Sequence, residues 1–133
     1  MGRTTIPKVD TAGLMIVLVT GSRDWINRGV VEAQFEALQP DLVIHGDCKG
    51  LDWIADAVAA SNGINRLKVP ANWNKHGNAA GSARNHFMVD LFLEVAHIDV
   101  CLGFPLPQSV GTWDCINYAR SRGIATLVFG EDF

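Results

Sequence analysis

Six consecutive apolar residues, Leu14 to Val19, run without a polar interruption into Thr20-Gly21-Ser22-Arg23. The run is far shorter than the roughly 18 apolar residues a membrane-spanning helix requires. It also lacks the polar alternate positions of a strand with one solvated face. It fits a central strand of a parallel sheet, covered on both sides. Parallel neighbours cannot be joined by tight hairpins, so such a strand demands crossover connections, usually helices. The rest of the chain should therefore alternate between helical and strand-like patterns.

That alternation is present. Val30, Val31, Phe35 and Leu38 recur at helical spacing, and Pro40 closes the helix. Leu42 to Ile44 predicts a second strand, followed by a helix with Ile54, Ala57 and Val58 on its inner side. Asn62-Gly63 supplies a left-handed stop. In the third strand Leu67 and Val69 alternate with Arg66 and Lys68, the pattern of a sheet edge. Pro70 to about Gly81 predicts a long loop, and long loops in compact domains are commonly functional. The next helix carries Met88, Leu91, Phe92 and Val95; strand four spans Ile98 to Leu102. The last helix runs from about Thr112 to Arg122, Gly123 stops it, and Ala125 to Phe129 forms strand five.

The fold expected is α/β: a Rossmann-like, doubly wound, parallel five-stranded sheet in a single domain, residues 13–133, after an N-terminal tail over residues 1–12. A strand order of 3-2-1-4-5 would make strands one and four neighbours where the order reverses. Ligands of such sheets bind beyond the carboxyl ends of the strands at that point. Gly21 to Arg23 and Gly103 to Thr112 would then face one another across the crevice.

The net charge of −3 gives no reason to expect a duplex nucleic acid as partner. Locally the balance differs. No acidic residue lies between Asp56 and Asp90, whereas Arg66, Lys68, Lys75 and Arg84 do, with His76 and His86. A positive middle third on an acidic chain suits a small anion; a solvated face with a gap in its charges is the plainer alternative. Three cysteines in no pairing pattern are expected in a reducing, cytoplasmic setting. The first ten residues lack the apolar stretch of a secretory signal, and no membrane partner is expected.

Four short blocks could carry chemistry. Gly21, Ser22 and Arg23 combine a tight turn, a hydroxyl and a planar cation suited to phosphate or carboxylate, without a dinucleotide or P-loop fingerprint. Trp25 beside them is either a base-stacking surface or a buried anchor. Gly46, Asp47 and Asp52 close strand two and open a helix, where Asp52 either caps the helix or accepts from a ribose hydroxyl. His45 and Cys48 lack a second pair of ligands, so neither a metal nor a cofactor is expected. Arg84 near a helix start is unfavourable against the helix dipole unless it turns to an anion, and Asn85 is a neutral donor and acceptor beside it. Gly111-Thr112 presents N–H groups and a hydroxyl at the last helix N-terminus, a natural phosphate cradle.

Thr20-Gly21-Ser22-Arg23, His45-Gly46-Asp47-x-x-Gly50-x-Asp52, Arg84-Asn85-x-x-Met88 and Gly111-Thr112, in this order, resemble the SLOG superfamily of Rossmann-like nucleotide-ligand-binding domains. The resemblance is strongest to its small YspA- and YpsA-related group. The wider superfamily includes phosphoribohydrolases that release cytokinin bases, with the pattern P-G-G-x-G-T-x-x-E. Pro107, Gly111 and Thr112 agree with it, Gln108 and Ser109 replace the early glycines, and Cys115 stands where the catalytic glutamate is found. The block with the family's catalytic arginine matches Arg84 to Met88, with Asn85 in place of lysine. The resemblance implies a nucleotide-like ligand and a homo-oligomer.

One expectation is therefore a domain that binds a nucleotide or nucleotide-derived molecule at the carboxyl edge of the sheet. If it is an enzyme, the reaction expected is N-glycosidic cleavage of a nucleotide, phosphoribohydrolase-like, with Asp114 and Arg84 as catalytic residues. The alternatives are a non-catalytic sensor or sequestering protein for a signalling nucleotide, favoured by the missing glutamate, and a single-stranded nucleic-acid binder, disfavoured by the net acidity.

Overall fold

A computed structural model describes residues 10–130. The tail expected over residues 1–12 falls mostly outside them; within it, Thr11 Oγ1 lies 3.0 Å from Nδ1 of His97. The described residues form five parallel strands in the order β3-β2-β1-β4-β5. These are β1 (Ile16–Gly21), β2 (Leu42–His45), β3 (Asn65–Lys68), β4 (Val100–Phe104) and β5 (Thr126–Val128). The helices are α1 (Arg28–Leu38), α2 (Leu51–Ser61), the single turn α3 (Trp73–His76), α4 (Ala80–Val95) and α5 (Val110–Ser121). The expected fold class and strand order are both found.

The aliphatic run works as its composition demands. Successive side chains of a strand point to opposite faces. Val17 and Val19 pack with Val31 and Phe35 of α1 and with Leu51, Ala55 and Val58 of α2. Ile16 and Leu18 pack on the other face with Met88, Val89 and Phe92 of α4 and with Cys115 and Ala119 of α5. Ile16 to Val19 are fully buried, so a polar residue at any of these positions would face a core. β3, by contrast, is an edge strand with all four residues exposed.

Several boundaries differ from the periodicity reading. β1 and β4 each begin and end two residues later than expected, so that Leu14 lies exposed before β1, while Thr20 pairs with Gly103 and Gly21 with Phe104. Gly103 lies inside β4, paired with Thr20 and Val128, and is glycine there because a Cβ would collide with Ile116 of α5. The inward stripe of α2 is Leu51, Ala55, Val58 and Ala59, which share an arc of about 100° around the axis, and Ala57 falls outside that arc and is exposed. The segment expected as a loop from Pro70 to Gly81 carries α3, capped by Asn72, whose side chain accepts from the Lys75 N–H at 3.0 Å.

Candidate functional site

β1 and β4 are adjacent, and beyond their carboxyl ends lies a cavity of about 650 Å³. It is bordered by the turns after β1 and β2, the first turns of α4 and α5, and Trp73 of α3. Helices that follow parallel strands begin at this edge, so their positive ends face the same space. The sheet topology alone thus makes the cavity hospitable to an anion.

The turn after β1 is held from two sides. Ser22 N–H donates to the Phe104 carbonyl at 3.0 Å, while the Ser22 carbonyl accepts from Leu51 N–H at 3.0 Å and Trp25 N–H at 3.2 Å. Gly50, at φ +88°, lets the start of α2 press on the backbone of Arg23, where a Cβ would collide. Trp25 resolves to the anchor: it is 2% exposed, meets Phe104 edge-on at 5.4 Å, and donates its indole N–H to the Asn27 carbonyl at 2.9 Å. Gly21, Ser22 and Arg23 all border the cavity. The exposed Arg23 side chain has no ion pair among the described residues.

The turn after β2 is built around buried acid. Asp52, 5% exposed, turns back from the first turn of α2 and accepts through Oδ2 from the N–H groups of Gly46 at 3.1 Å and Cys48 at 3.2 Å. It therefore braces the preceding turn, and α2 has no side-chain cap at Gly50. Its other oxygen, Oδ1, is buried without a hydrogen-bond partner among the described residues. Burial pushes the carboxyl up to about 6, against the two N–H bonds and the nearby Arg84 charge. His45 is wholly buried, and its Nδ1 accepts from the Asp47 N–H at 3.0 Å. The ring proton therefore sits on Nε2, which donates to Asp56 at 2.9 Å. Gly46 and Asp52 border the cavity; Asp47, held by this arrangement at φ +58°, does not.

Arg84 departs from the expectation of a side chain reaching freely to an anion. Its guanidinium donates to the Gly46 carbonyl, to the Val69 carbonyl at 3.4 Å and to Asn85 Oδ1 at 2.9 Å, and lies 3.4 Å from Cys48 Sγ. It borders the cavity but ties α4 to the ends of β2 and β3. Gly46 must be glycine for this, since a Cβ would occupy the guanidinium position.

The α5 side is open. Ser109 Oγ accepts from Leu106 N–H at 2.9 Å and so does not cap the helix. No protein acceptor among the described residues takes the N–H groups of Gly111 and Thr112 at the cavity wall. Gln108, where the phosphoribohydrolase pattern has glycine, adopts φ +70°. The turn thus keeps a glycine-like backbone without glycine. Asp114 faces the cavity: its Oδ2 accepts from Asn85 Nδ2 at 3.2 Å, and its Oδ1 lies 3.5 Å from His86 Nε2. Cys115, one residue on, is fully buried in the core against β1.

The model of the YspA, cpYpsA-related SLOG family matches residues 15–76, the span that holds the turns after β1 and β2. The gene 61 protein of Mycobacterium phage D29 is 39% identical, the alignment covering 86% of this chain and 96% of that protein. The chain belongs to the YspA, cpYpsA-related SLOG family. Among solved structures, the C-terminal domain of the PF1911 hydrogenase of Pyrococcus furiosus is similar with a TM-score of 0.50 at 17% identity, covering 96% of this chain and all of that domain. That likeness concerns the fold alone. Among the described residues of this SLOG chain, no helix is long and apolar enough to cross a membrane.

The residues bordering the cavity that sequence reasoning did not select are chiefly Trp73, Cys48, Gln108 and Ser109. Trp73 lay in the loop singled out for its length, but nothing in the local pattern separated it from the other tryptophans.

Proposed function

We propose that the protein binds a nucleotide or nucleotide-derived small molecule, with its phosphate held between Arg23 and the N-terminus of α5. The observation that carries this reading is the coincidence, on one cavity wall system, of an unpaired guanidinium with the free Gly111 and Thr112 N–H groups. Ser22 and Thr112 add hydroxyls, and Asn85 orients groups near the phosphate. The orphan Asp52 Oδ1 is an acceptor for a ribose hydroxyl, since a buried acceptor without a partner is costly and a ligand donor would remove that cost. Arg84 acts by fixing the cavity floor.

A ligand that binds only the folded state raises the melting temperature by mass action. Nucleoside monophosphates, NAD and ADP-ribose should do so for the intact protein, and Arg23→Gln should remove most of the effect. Full stabilisation of Arg23→Gln would overturn the phosphate assignment. Mass spectrometry of small molecules retained through purification identifies the natural ligand.

A second reading, cleavage of the N-glycosidic bond, is favoured by one feature: Asp114 presents an oriented carboxylate to the cavity. In that reaction Asp114 accepts a proton from water as its oxygen bonds to C1′ of the ribose. The C1′–N bond breaks, its electron pair leaves with the base, and the base takes up a proton. The buried Cys115 at the glutamate position of the related pattern weighs toward binding without turnover, as in a sensor. Chromatography for free base after incubation with each compound separates the two; catalysis requires base release that Asp114→Asn abolishes.

A further inference from the structure

The cavity lining joins helix N-termini, Arg23, Asn85 and the Asp52 carboxylate to the apolar Val19, Met88, Pro107 and Val110, and it includes the indole of Trp73, close to the start of α4. The edge of that ring lies 3.9 Å from where a Cβ of Gly81 would stand. Trp73 is 55% exposed, and its indole N–H has no hydrogen bond among the described residues. Two of the other three tryptophans have evident structural employment: Trp25 is buried, and Trp53 donates to the Asp47 carbonyl at 3.3 Å. Trp113 is half-buried and lies under the Arg120 guanidinium. Among the described residues, Trp73 is the one aromatic side chain on the cavity wall.

A tryptophan left open beside an anion-binding floor is explained by what can cover it. Apolar aromatic surface gains by meeting another flat π-face, and every nucleobase has one. A sugar phosphate has none. A cavity that holds backbone donors, a guanidinium and an open indole matches a ligand with both a charged group and a flat one. The Asn72 side chain, accepting from the Lys75 N–H at 3.0 Å, caps the single turn on which Trp73 stands.

We infer that Trp73 is the stacking wall of this cavity, the residue that favours a base-bearing ligand over a sugar phosphate alone. The inference rests on the nucleotide-binding reading above and assigns the side chain that meets the base.

Calorimetric titration of the intact protein with the four nucleoside monophosphates and with ribose 5-phosphate tests it. The readout is the ratio of affinities for the tightest nucleotide and the baseless control. Stacking predicts a ratio of about tenfold or more in the native protein, largely kept in Trp73→Phe and reduced several-fold or more in Trp73→Ala. Nucleotide binding should also quench emission in the native protein more than in Trp73→Phe. A ratio near one, or a ratio unchanged by Trp73→Ala, overturns the base assignment while leaving the phosphate site standing. Failure of both nucleotides and ribose 5-phosphate to bind overturns both readings.

Discussion

Arg84 and Arg23 border the same cavity, yet the first is engaged with the Gly46 and Val69 carbonyls, Asn85 and Cys48, while the second has no ion pair among the described residues. The contrast extends to the regions they belong to. On the β2 side, Asp52 Oδ2, the His45 ring and the Arg84 guanidinium are each hydrogen-bonded to backbone or neighbouring side-chain groups, and Asp52 Oδ1 is left over. On the side where β1 and β4 end, a cation and two backbone donors are left over. A cation enclosed by protein acceptors shapes a site, whereas donors left without acceptors are what a ligand can use. The family's arginine block marks the first kind of residue here, and the turn after β1 marks the second.

The largest expected effect comes from prising the two regions apart. Gly50→Val places a side chain against the Arg23 backbone and at a positive φ, so unfolding free energy should fall by about 4 kcal/mol in urea titration. A loss within about 0.5 kcal/mol, the range of ordinary surface changes, would mean the turns are not docked as described. Next comes the contrast between the arginines. Arg84→Ala strands two carbonyls and leaves Asp52 without its cationic neighbour, and should cost about 3 kcal/mol without any ligand. Arg23→Ala should change the stability of the free protein by less than about 0.5 kcal/mol. Equal losses would erase the distinction.

Asp52 sharpens it through pH. Burial raises its folded value to about 6 from an ordinary 3.8, so the folded protein holds the proton where the unfolded chain has released it. Its contribution to stability is therefore full below about pH 4 and is lost as pH rises through about 6, at most about 3 kcal/mol. Asp52→Asn should flatten that part of the stability profile; an unchanged slope between pH 4 and 6 would assign it to other groups. The smallest effect is on the open side. Gln108→Gly relieves a left-handed non-glycine residue, while glycine adds freedom to the unfolded chain, so stability should shift by about 1 kcal/mol or less in the stabilising direction. A clear destabilisation would show that the Gln108 side chain does more than occupy the turn.

The fold was legible because its determinants are local and repetitive. An uninterrupted aliphatic run, helical spacings between strands and stops at Pro40 and Gly63 are enough to specify a parallel α/β sheet, and the strand order follows from few options. Boundaries such as the end of β4 were not legible, since Gly103 is a strand residue whose missing side chain makes room for Ile116, a contact distant in sequence. The location of the cavity was legible for the same reason as the fold: Gly21 to Arg23 end or follow β1, Gly111-Thr112 open the helix after β4, and β1 and β4 are adjacent. What each residue does there was less so. Arg84 and Asp52 carry charges that suggest ligand contact, and only the three-dimensional arrangement reveals that backbone groups 4 to 38 residues away engage the guanidinium and one of the two carboxylate oxygens. Trp73 was hidden because exposure, not spacing, distinguishes it from Trp25.

The most direct test is an amide-resolved NMR titration of the labelled protein with AMP and ADP-ribose. The account predicts that the backbone signals of Gly111 and Thr112 and the side-chain Nε signal of Arg23 shift together and saturate at one ligand concentration, while the Val100 to Leu102 amides of β4 stay nearly still. Binding that saturates with those three signals unmoved and the changes clustered elsewhere would contradict it.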